Sequence, residues 1–385
     1  MKRIKQMDKL KGHSLSEFSD NELEISWDAI QYNLSYFRQK LHPNTKLMLM
    51  VKASAYGHST SEIVSKIQSK NLAHYLGVAT IAEGIELRNN GIELPIMIQN
   101  VRPNHWDVIL HHCLEPVIHS FEILESFHSF LLKSDTLKEN RYPIHIKLNT
   151  GMNRLGFNES DLSTLKIKLL GESSFRVSSI MSHLSSSGNF VDDEFTLHQI
   201  TDFKRMSDSL ITGLAEKPIC HILNTDGIHN YLAHQMDMVR LGIGLYGASE
   251  SEVLKSSLNI ISKLTTRVVA VRKISKNEFI SYNRSGELQI DSHIAVLSLG
   301  YADGLPRKLG NGNWEIEIEG KLYPTIGNIC MDLCMINLGQ DKVALGSKAI
   351  VFGGIKSIFD YANALDTITY EALTNIGNRV KRILV

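Results

Sequence analysis

Short apolar runs alternate with amphipathic, helix-like segments through the N-terminal part of the chain. Between Leu23 and about Ile243, eight runs have the length and composition of buried strands: Leu47–Val51, Tyr75–Ala79, Pro95–Gln99, Leu114–Ile118, Ile144–Leu148, Val177–Ser182, Cys220–Leu223 and Met238–Leu241. Helical patterns lie between most of them: Ser59–Gln68, Ile81–Asn89, His105–His112, Ser120–Leu132, Asp161–Leu169 and Asp192–Leu210. Eight βα units in succession favour an α/β fold with a (β/α)8 TIM-like barrel over an open doubly wound sheet.

The pattern changes after about Gly247. Five segments are rich in strand-forming residues and are separated by Gly, Asn and Asp turns: Leu258–Val271, Glu287–Leu299, Trp314–Ile318, Thr325–Leu338 and Lys348–Phe352. Long helical patterns are nearly absent until Thr369–Arg379. We therefore predict a polar N-terminal tail at 1–22, a barrel at 23–247 and a C-terminal, mainly antiparallel β domain at 248–385, with which the first strand near 23–27 can pack.

Composition excludes several classes of function. The chain has 385 residues with 41 basic and 41 acidic side chains, so it lacks the charge surplus of proteins that bind nucleic acid or anionic membranes. No segment offers the ~20 apolar residues that a membrane span requires, and the basic, polar segment from Met1 to Gly12 does not have the pattern of a secretory signal. The cysteines complete no zinc spacing, so we predict no metal site and buried thiols in a reducing cytoplasm: Cys113, Cys220, Cys330 and Cys334.

Polar, reactive residues cluster where the predicted strands end. They are Lys52 and Tyr56 after the first strand, Lys147 and Asn149 at the fifth, His183 at the sixth, Asn224 and Thr225 after the seventh, and Arg240 in the eighth. Barrel enzymes keep their active sites at the carboxyl ends of the strands, so this distribution indicates an enzyme. Lys52 is either a buried structural lysine with a partner or a Schiff-base lysine that condenses with an aldehyde cofactor, and its position alone leaves both open.

The segments that carry these residues resemble one known family. Val51-Lys-Ala-Ser-Ala-Tyr-Gly-His58 resembles the pyridoxal 5'-phosphate (PLP) lysine motif of alanine racemases, Val-Lys-Ala-Asn-Ala-Tyr-Gly-His. Five further segments resemble motifs of the same family in the same order: Lys147-Leu-Asn-Thr-Gly-Met-Asn-Arg-Leu-Gly156, His221-Ile-Leu-Asn-Thr225, Val239-Arg-Leu-Gly-Ile-Gly-Leu-Tyr-Gly247, Ser298-Leu-Gly-Tyr-Ala-Asp-Gly304 and Gly327-Asn-Ile-Cys-Met-Asp332. The resemblance runs from about residue 25 to the C-terminus and implies the family's barrel-plus-β-domain architecture.

The resemblance implies a PLP cofactor bound as a Schiff base on Lys52. It assigns binding of the cofactor to Tyr56, His183, Asn224, Thr225, Arg240, Gly242, Ile243 and Tyr370. Arg240 faces the pyridine nitrogen in this assignment, although a salt bridge to Asp237 or another carboxylate is the alternative for its side chain. An arginine does not give up its proton in a protein, so the ring nitrogen stays unprotonated and the ring is a weaker electron sink.

The resemblance also implies a two-base racemisation. Lys52 is one base and Tyr282 the other, with His183 as the partner of Tyr282. In the family this tyrosine enters the site from the second subunit, so a homodimer is expected. The substrate would be bound by Arg154, which grips the carboxylate, by Lys147, which is carbamylated in many members and orients that arginine, by the Met331 amide and by Tyr301 at the gate.

The chain departs from the family pattern at a few positions. Ser54 replaces an asparagine and Asn149 an aspartate. Asn328 replaces an arginine that is frequent in the family's substrate corridor. Arg307 matches the residue that usually neighbours that arginine, and it is retained. Our hypothesis is that Asn328 relaxes the selection of substrate size. Asp226 replaces a small residue, and its carboxylate would repel a phosphate unless it points away.

The resemblance therefore implies a cytoplasmic alanine racemase that interconverts L-alanine and D-alanine and supplies D-alanine for peptidoglycan. A serine or broad-specificity racemase is an alternative, because a small pocket separates alanine from serine poorly. A PLP decarboxylase of the same architecture and a non-catalytic PLP-binding protein are further alternatives. Carbamylation of Lys147 stays open, as does whether the chain is a whole protein or part of a fusion with a cell-wall ligase.

Overall fold

The chain folds into two compact units. The structure, a computed structural model, describes residues 19–134, 141–171, 174–188, 191, 193–249 and 251–385. One unit is Ile30–Asn259, and the other combines Ile260–Val385 with the described residues up to Ala29. Most of the predicted tail at 1–22, and Asp192 at the start of one predicted helix, lie outside the described residues. The predicted boundaries at 23–247 and 248–385 stay a prediction.

The unit Ile30–Asn259 contains a ring of eight parallel strands. After β1 (Glu22–Ile25), which belongs to the other unit, the strands are β2 (Lys46–Met50), β3 (Tyr75–Val78), β4 (Ile96–Ile98), β5 (Glu115–Ile118), β6 (Tyr142–Lys147), β7 (Phe175–Met181), β8 (Ile219–His221) and β9 (Met238–Leu241). Hydrogen-bonded neighbours follow the order β8-β7-β6-β5-β4-β3-β2-β9. Backbone bonds from Asp237 N to Cys220 O (3.2 Å) and from Arg240 N to Leu223 O (3.0 Å) join the last two edges. The predicted (β/α)8 barrel is confirmed.

The predicted helices of the barrel also form, each with its ends within two residues of the prediction. The helices of this part of the chain are Trp27–Arg38, Lys52–Tyr56, Ser61–Ser69, Ile81–Asn89, Trp106–His111, Phe121–Lys133, Leu162–Leu170, Asp193–Ile211, Thr225–Asn230 and Glu252–Ser257. Short 3-10 turns lie at Pro103–His105, Glu159–Asp161, Leu232–His234 and Ile243–Tyr246. Helix Ile81–Asn89 begins with a capping box, in which Thr80 Oγ1 accepts from Glu83 N (3.3 Å) and Glu83 Oε2 accepts from Thr80 N (2.9 Å).

Strand β6 shows which side chains face the barrel interior. The Tyr142 ring lies 5.7 Å from the ring of Phe127 in helix Phe121–Lys133, so Tyr142 faces outward. Side chains alternate along a strand, which directs His145 and Lys147 inward. Both are buried. Because barrel interiors are normally filled by branched apolar residues, these two polar side chains mark the part of the interior that needs a chemical explanation.

The second unit is built on mainly antiparallel strands. They are β10 (Ser262–Ile274), β11 (Phe279–Ile280), β12 (Gly286–Glu287), β13 (Ser292–Leu297), β14 (Glu315–Ile318), β15 (Lys321–Pro324), β16 (Cys334–Gly339), β17 (Lys348–Phe352) and β18 (Lys381–Leu384). The main sheet has the order β15-β14-β17-β10-β1-β18, and β13 pairs with both β10 and β16. Strand β1 is antiparallel to β10 and parallel to β18. The predicted antiparallel β architecture is confirmed.

Helices are few in this unit. They are Ile358–Ala364 and Thr369–Thr374, with 3-10 turns at Tyr282–Arg284, Tyr301–Asp303 and Arg307–Leu309. The predicted helix Thr369–Arg379 is too long, because the chain leaves the helix at Thr374 to enter β18. Across the described ranges of both units, no helix combines the length and the apolar composition that a bilayer span requires.

The four cysteines are all free thiols. Cys220 and Cys334 are buried, as predicted, but Cys113 is exposed and Cys330 is half-buried, so the prediction of buried thiols is wrong for these two. Cys113 occupies the turn before β5 with φ of 50°, which directs its side chain to the surface, and Cys330 lies in a loop that lines a cavity.

Candidate active site

The segment after β2 adopts a backbone conformation that is rare for residues other than glycine. Lys52 begins a short helix, and the next four residues, Ala53 to Tyr56, have φ between 51° and 55°. The left-handed helical conformation costs an L-residue about 1–2 kcal/mol. A run of four such residues is strained backbone of the kind that clusters at functional sites. Lys52 stands at the start of this turn, at the carboxyl end of β2.

Glu83 fastens the strained turn to the next βα loop. Its Oε1 accepts a hydrogen bond from Ala53 N (2.6 Å), and its Oε2 accepts from Ala79 N (2.8 Å) and Thr80 N (2.9 Å). The Glu83 charge raises the pKa of Lys52, but burial, the largest effect, and the charge of Arg154 lower it by more. The pKa of the Lys52 amine is therefore below its ordinary value, which favours the neutral, nucleophilic form.

Four cationic side chains lie close enough to act on one another at this end of the barrel: Lys52, Lys147, Arg154 and Arg240. Burial, followed by the charges of the other three, lowers the pKa of Lys147 to about 8. Burial and the same cations hold the pKa of His183 well below its ordinary value, so its ring is neutral. Anions relieve the repulsion within such a cluster, which suits the site to a phosphate or a carboxylate.

The Arg240 guanidinium is fixed on several sides. Nη1 donates to His221 Nδ1 (2.6 Å) and to the His221 carbonyl (3.1 Å). Nη2 donates to the carbonyls of Ser182 (2.6 Å) and Ile222 (2.9 Å) and lies 3.3 Å from His183 Nδ1. Burial lowers the pKa of Arg240 to about 9, which leaves the group charged at neutral pH. No acceptor among the described residues meets its Nε–H, so this donor is left for a ligand.

The alternative partner of Arg240, Asp237, is engaged elsewhere. Asp237 Oδ2 accepts a hydrogen bond from Cys220 N (2.8 Å), and Oδ1 lies 3.7 Å from Lys217 Nζ. The salt bridge between Arg240 and Asp237 considered from the sequence does not form. The charge of the buried guanidinium therefore remains available to the site.

A cradle of small residues follows β8 and β9. Thr225 Oγ1 accepts hydrogen bonds from the amides of Gly242 (3.1 Å) and Gly244 (3.3 Å), with Ile243 between them. A Cβ atom at Gly242 would lie 2.8 Å from the hydroxyl of Tyr56, so only glycine permits this approach. The loops after the seventh and eighth strands are where barrels commonly bind phosphate. This cradle has the donors that a phosphate needs.

Asn149 organises the exposed loop that carries Arg154. Its Oδ1 accepts hydrogen bonds from Gly151 N (3.3 Å) and Asn153 N (3.0 Å). Its Nδ2 donates to Asn153 Oδ1 (2.9 Å) and Asn158 Oδ1 (2.9 Å). The Asn149 side chain therefore accepts from two backbone amides of the turn before Arg154 and donates to two side-chain oxygens.

In the second unit, the segment around Asn328 is hydrogen-bonded to the loops that carry Tyr282 and Tyr301. Asn328 Nδ2 donates to Tyr282 O (3.1 Å), and Tyr301 N donates to Cys330 O (3.0 Å). The side chains of Tyr282 (68% exposed), Met331 (53%) and Tyr301 (41%) all remain accessible. Tyr282 and Cys330 line a cavity of about 920 Å³. These loops form a cluster of exposed aromatic and apolar groups.

The candidates are divided between the two units. The barrel unit carries Lys52, Tyr56, Lys147, Arg154, His183, Asn224, Thr225, Arg240, Gly242 and Ile243, and the second unit carries Tyr282, Tyr301, Met331 and, in helix Thr369–Thr374, Tyr370. Glu83 and His221 were not predicted as site residues. Both lie in recognisable sequence patterns, since Thr80-x-x-Glu83 has the spacing of a capping box and His221 is the first residue of the motif His221-Ile-Leu-Asn-Thr225.

Two family models match the chain in succession. The model of the alanine racemase N-terminal domain matches residues 25–250, and the model of the alanine racemase C-terminal domain matches residues 261–384. The chain belongs to the alanine racemase family.

Individual alanine racemases are similar over nearly the whole chain. That of Methanococcus maripaludis is 35% identical over 370 residues, which cover 94% of this chain and 97% of the relative. Alanine racemase 1 of Caldanaerobacter subterraneus subsp. tengcongensis is 32% identical over 371 residues, 94% of each chain. The solved alanine racemase of Clostridium difficile 630 has a TM-score of 0.87 at 31% identity and 95% coverage of each chain. That of Bacillus anthracis with bound L-Ala-P has a TM-score of 0.87 at 26% identity, covering 96% of this chain and 95% of that chain.

The expectations of family, fold class and enzyme class from the sequence are confirmed. The protein is an alanine racemase, an isomerase that acts on a small amino acid. Neither the family models nor the relatives favour a decarboxylase, a serine racemase or a non-catalytic protein.

Two of the chain's departures from the alanine racemase pattern compensate each other. The segment Lys147–Gly156 resembles the family motif Lys-x-Asp-Thr-Gly-Met-Gly-Arg-Leu-Gly, in which aspartate stands at the position of Asn149 and glycine at the position of Asn153. The two side chains are hydrogen-bonded, Nδ2 to Oδ1, at 2.9 Å. Asn153 has φ of 53°, a conformation that asparagine tolerates better than most residues. The loop therefore keeps its turn with a different pair of residues.

Asn149→Asp is expected to lower the melting temperature of the protein. A carboxylate oxygen would replace the Nδ2 donor and face the Oδ1 atoms of Asn153 and Asn158, at a cost of about 1 kcal/mol. Adding Asn153→Gly removes one opposing oxygen and restores the family pair, so it should recover part of the loss. Thermal unfolding followed by circular dichroism measures both effects. If the decreases in melting temperature of the two single variants simply add in the double variant, the pairing of Asn149 with Asn153 is contradicted.

Asp226 does not face the cradle that Thr225 forms. Its Oδ1 accepts a hydrogen bond from Ser249 Oγ (2.7 Å), and burial raises the pKa of its carboxyl group. A Cβ atom at Gly188 would lie 3.3 Å from its Oδ2. The preceding Asn224 caps the helix through Gly227 N (3.0 Å). The carboxylate thus points away from Gly242 and Gly244, which removes the repulsion foreseen for a phosphate.

Asn328 replaces an arginine of the family and supports the loop of Tyr282. Ser281 Oγ donates to Asn328 O (2.7 Å), and Asn328 N donates to Ser285 Oγ (3.0 Å). Asp332 pairs with Arg379 Nη1 at 2.8 Å.

Asn328→Arg is expected to raise the ratio of kcat/KM for alanine over that for serine, because the added side chain narrows the substrate path and restores a cation. Steady-state assays with both amino acids measure this ratio. Asn328→Ala is the control, since it loses the bond to Tyr282 O without adding bulk or charge. An unchanged ratio in Asn328→Arg would refute the hypothesis that Asn328 relaxes substrate selection.

Proposed function

We propose that the protein racemises alanine with PLP attached to Lys52, acts as a cytoplasmic homodimer, and supplies D-alanine for peptidoglycan. The observation that carries the proposal is the convergence of three kinds of group at one end of the barrel. Lys52 offers an amine of lowered pKa, Arg240 a buried donor, and Thr225 the cradle for an anion. PLP has an aldehyde, a ring nitrogen and a phosphate that match these three groups.

The chemistry of the donors fits this cofactor. The Nε–H of Arg240, which meets no acceptor within the described ranges, suits an unprotonated pyridine nitrogen. The Thr225 hydroxyl and the Ile243 amide suit the phosphate, Gly242 holds Thr225 Oγ1 in place through its amide, and the hydroxyls of Tyr56 and Tyr370 complete the ligands of the phosphate. Bound PLP withdraws electrons from the α-carbon of an attached amino acid, which makes the α-proton removable.

Lys52 and Tyr282 act as the two bases on opposite faces of the substrate. The lowered pKa of Lys52 leaves a larger fraction of the amine neutral near pH 7, ready to take a proton. His183 prepares the other base. Arg240 can only donate, so His183 Nδ1, 3.3 Å from Nη2, is the acceptor and Nε2 carries the proton. This Nε2–H can donate a hydrogen bond to the hydroxyl oxygen of Tyr282 of the partner subunit.

The substrate carboxylate is held by Arg154, whose planar guanidinium can bind both oxygens. Lys147 orients Arg154. Its pKa of about 8 gives a substantial neutral fraction, the form that reacts with carbon dioxide to give a carbamate. The Met331 amide supplies a further donor to the carboxylate, and Tyr301 narrows the path to the site. Together these groups fix the α-carbon between the two bases.

A homodimer places Tyr282 in the site of the partner subunit. Tyr282 is presented on a rigid, strained turn, since Ser281, Asn283 and Arg284 have φ of 70°, 59° and 54°. Its exposed side chain (68%) is suited to insertion into another surface. Strain of this kind is maintained where a side chain must be aimed.

Proton NMR of L-alanine in D₂O with the PLP-loaded protein tests the proposal. We expect the α-proton signal to disappear while the optical rotation falls to zero. A parallel sample with L-serine should lose its α-proton more slowly. Exchange without inversion would leave the cofactor assignment standing and overturn the two-base assignment. Faster reaction with serine would overturn alanine as the preferred substrate, and absence of exchange despite bound PLP would favour a carrier.

A further inference from the structure

Five polar side chains form one connected chain through the barrel. Arg240 Nη1 lies 2.6 Å from His221 Nδ1, and His221 Nε2 lies 2.9 Å from Ser179 Oγ. Ser179 Oγ lies 2.6 Å from His145 Nδ1. His145 Nε2 lies 2.9 Å from Glu115 Oε2, an ion-pair distance. The chain thus links the guanidinium at the proposed cofactor site to a carboxylate elsewhere in the barrel.

The chain runs along the barrel from one end to the other. Glu115 is the first residue of β5, at the amino end, whereas His221 is the last residue of β8, at the carboxyl end. His145 and His221 are 0% exposed, and Ser179 is 1% exposed. Barrel interiors are usually filled with Val, Ile and Leu, and buried polar groups are costly unless they are paired. A buried polar chain of this length calls for a functional explanation.

A β-bulge brings the middle of the chain together. Strand β6 pairs with β7 so that Ile144 lies opposite Val177, while the next residue, His145, lies opposite Ser179. Ser178 is therefore an extra residue in β7. Bulges next to active sites re-aim side chains. Here the bulge places the Ser179 hydroxyl between the two histidines on the neighbouring strands.

Arg240 determines the direction of the hydrogen bonds as far as Ser179. Arginine can only donate, so His221 Nδ1 accepts. Burial, followed by the charge of Arg240, holds the pKa of His221 well below its ordinary value, so the ring is neutral and its single proton lies on Nε2. Nε2 therefore donates to Ser179 Oγ, which leaves the Ser179 hydroxyl able to donate to His145 Nδ1. His145 Nε2 faces the Glu115 carboxylate at an ion-pair distance of 2.9 Å, without the geometry of a hydrogen bond.

We propose that Ser179, His145 and Glu115 are positioning residues that fix the tautomer of His221 and, through it, the orientation of Arg240. The three hydrogen bonds from Arg240 to His145 then point towards Glu115, whose charge, at an ion-pair distance from His145, favours this direction over the reverse one. The inference rests on the proposed function in one respect, because Arg240 is taken to meet the ring nitrogen of PLP. The residues themselves touch neither cofactor nor substrate.

Ser179→Ala tests the proposal, and the chain offers a matched control. Ser178 is the adjacent residue of the same strand, is 5% exposed, and makes no hydrogen bond through its hydroxyl within the described ranges. Ser179→Ala should change the ¹⁵N shifts of the His221 ring in the histidine-labelled full chain and lower kcat/KM for alanine about tenfold or more, as loss of an orienting partner does at other sites. Ser178→Ala should leave both unchanged.

Two further variants separate positioning from folding. Ser179→Thr keeps the hydroxyl and should restore the ring shifts and most of the activity. Glu115→Gln keeps the side-chain volume and an acceptor but removes the charge. Its decrease in kcat/KM should therefore lie between those of Ser179→Ala and Ser178→Ala. The ¹⁵N spectra are recorded without added PLP, so they test the chain even if the cofactor assignment fails. If Ser179→Ala and Glu115→Gln both match Ser178→Ala in ring shifts and kcat/KM, the proposal is overturned.

Discussion

Tyr282→Phe is expected to lower the racemisation rate by about 10²–10⁴-fold, the usual effect of removing a general acid–base group. The α-proton of one enantiomer should still exchange with D₂O, because Lys52 remains on its face of the substrate. Lys52 can remove that proton and return a deuteron to the same face, which gives exchange without inversion. Proton NMR with L-alanine and D-alanine in separate samples distinguishes the two faces. Binding of PLP, followed by its absorbance, should be unchanged.

A matched control excludes a general effect of losing a tyrosine hydroxyl. Tyr32, on helix Trp27–Arg38, is also exposed (49%) and belongs to no part of the proposed site. Tyr32→Phe should keep the wild-type rate. Equal loss of exchange for both enantiomers in Tyr282→Phe, or retention of racemisation, would contradict the role of Tyr282 as one of two bases on opposite faces.

Lys52→Ala is expected to have the larger effect, a loss beyond the ~10⁴-fold upper end for a single acid–base group, because Lys52 holds the cofactor and also moves a proton. Neither enantiomer should exchange its α-proton faster than a solution of free PLP allows. Borohydride reduction of the wild-type protein, followed by mass spectrometry of its peptides, should add the mass of reduced PLP to the peptide with Lys52. The variant should show no such addition.

Lys46 provides the control for Lys52. It is exposed, it opens the same strand β2, and Lys46→Ala should keep both the activity and the labelled peptide. Addition of PLP to another lysine of the wild-type protein would contradict the assignment of Lys52. A similar loss in both lysine variants would point to damage to β2 rather than to chemistry.

The barrel could be predicted because its strands are buried on both faces. Leu47–Val51 is a continuous apolar run, and seven similar runs repeat between helical patterns. Strand β18 was missed because its partner, β1, lies at the other end of the sequence, and its residues are only half-buried. Helix Trp27–Arg38 was also missed, although Trp27, Ile30, Leu34 and Phe37 have helical spacing and are buried.

The candidate site was predictable only as far as its motifs extend. No propensity predicts the left-handed turn at Ala53–Tyr56, because alanine and serine disfavour that conformation. Glu83 was readable as a helix cap but not as the acceptor for Ala53 N, which depends on how two loops meet. The polar chain depends on the bulge at Ser178. A bulge changes the strand register by one residue, and the sequence of one chain does not reveal such a change.

The most direct test of the shared two-base site is a mixture of inactive subunits. Lys52→Ala and Tyr282→Phe chains carrying different affinity tags are dissociated, mixed and reassociated, and racemisation is measured. If Tyr282 enters the partner's site, each mixed dimer has one site with both bases intact. The mixture should then recover about one quarter of the wild-type activity, because about half of the dimers are mixed and each has one intact site. Activity no greater than the sum of the two variants, in mixed dimers purified through both tags, would contradict the account.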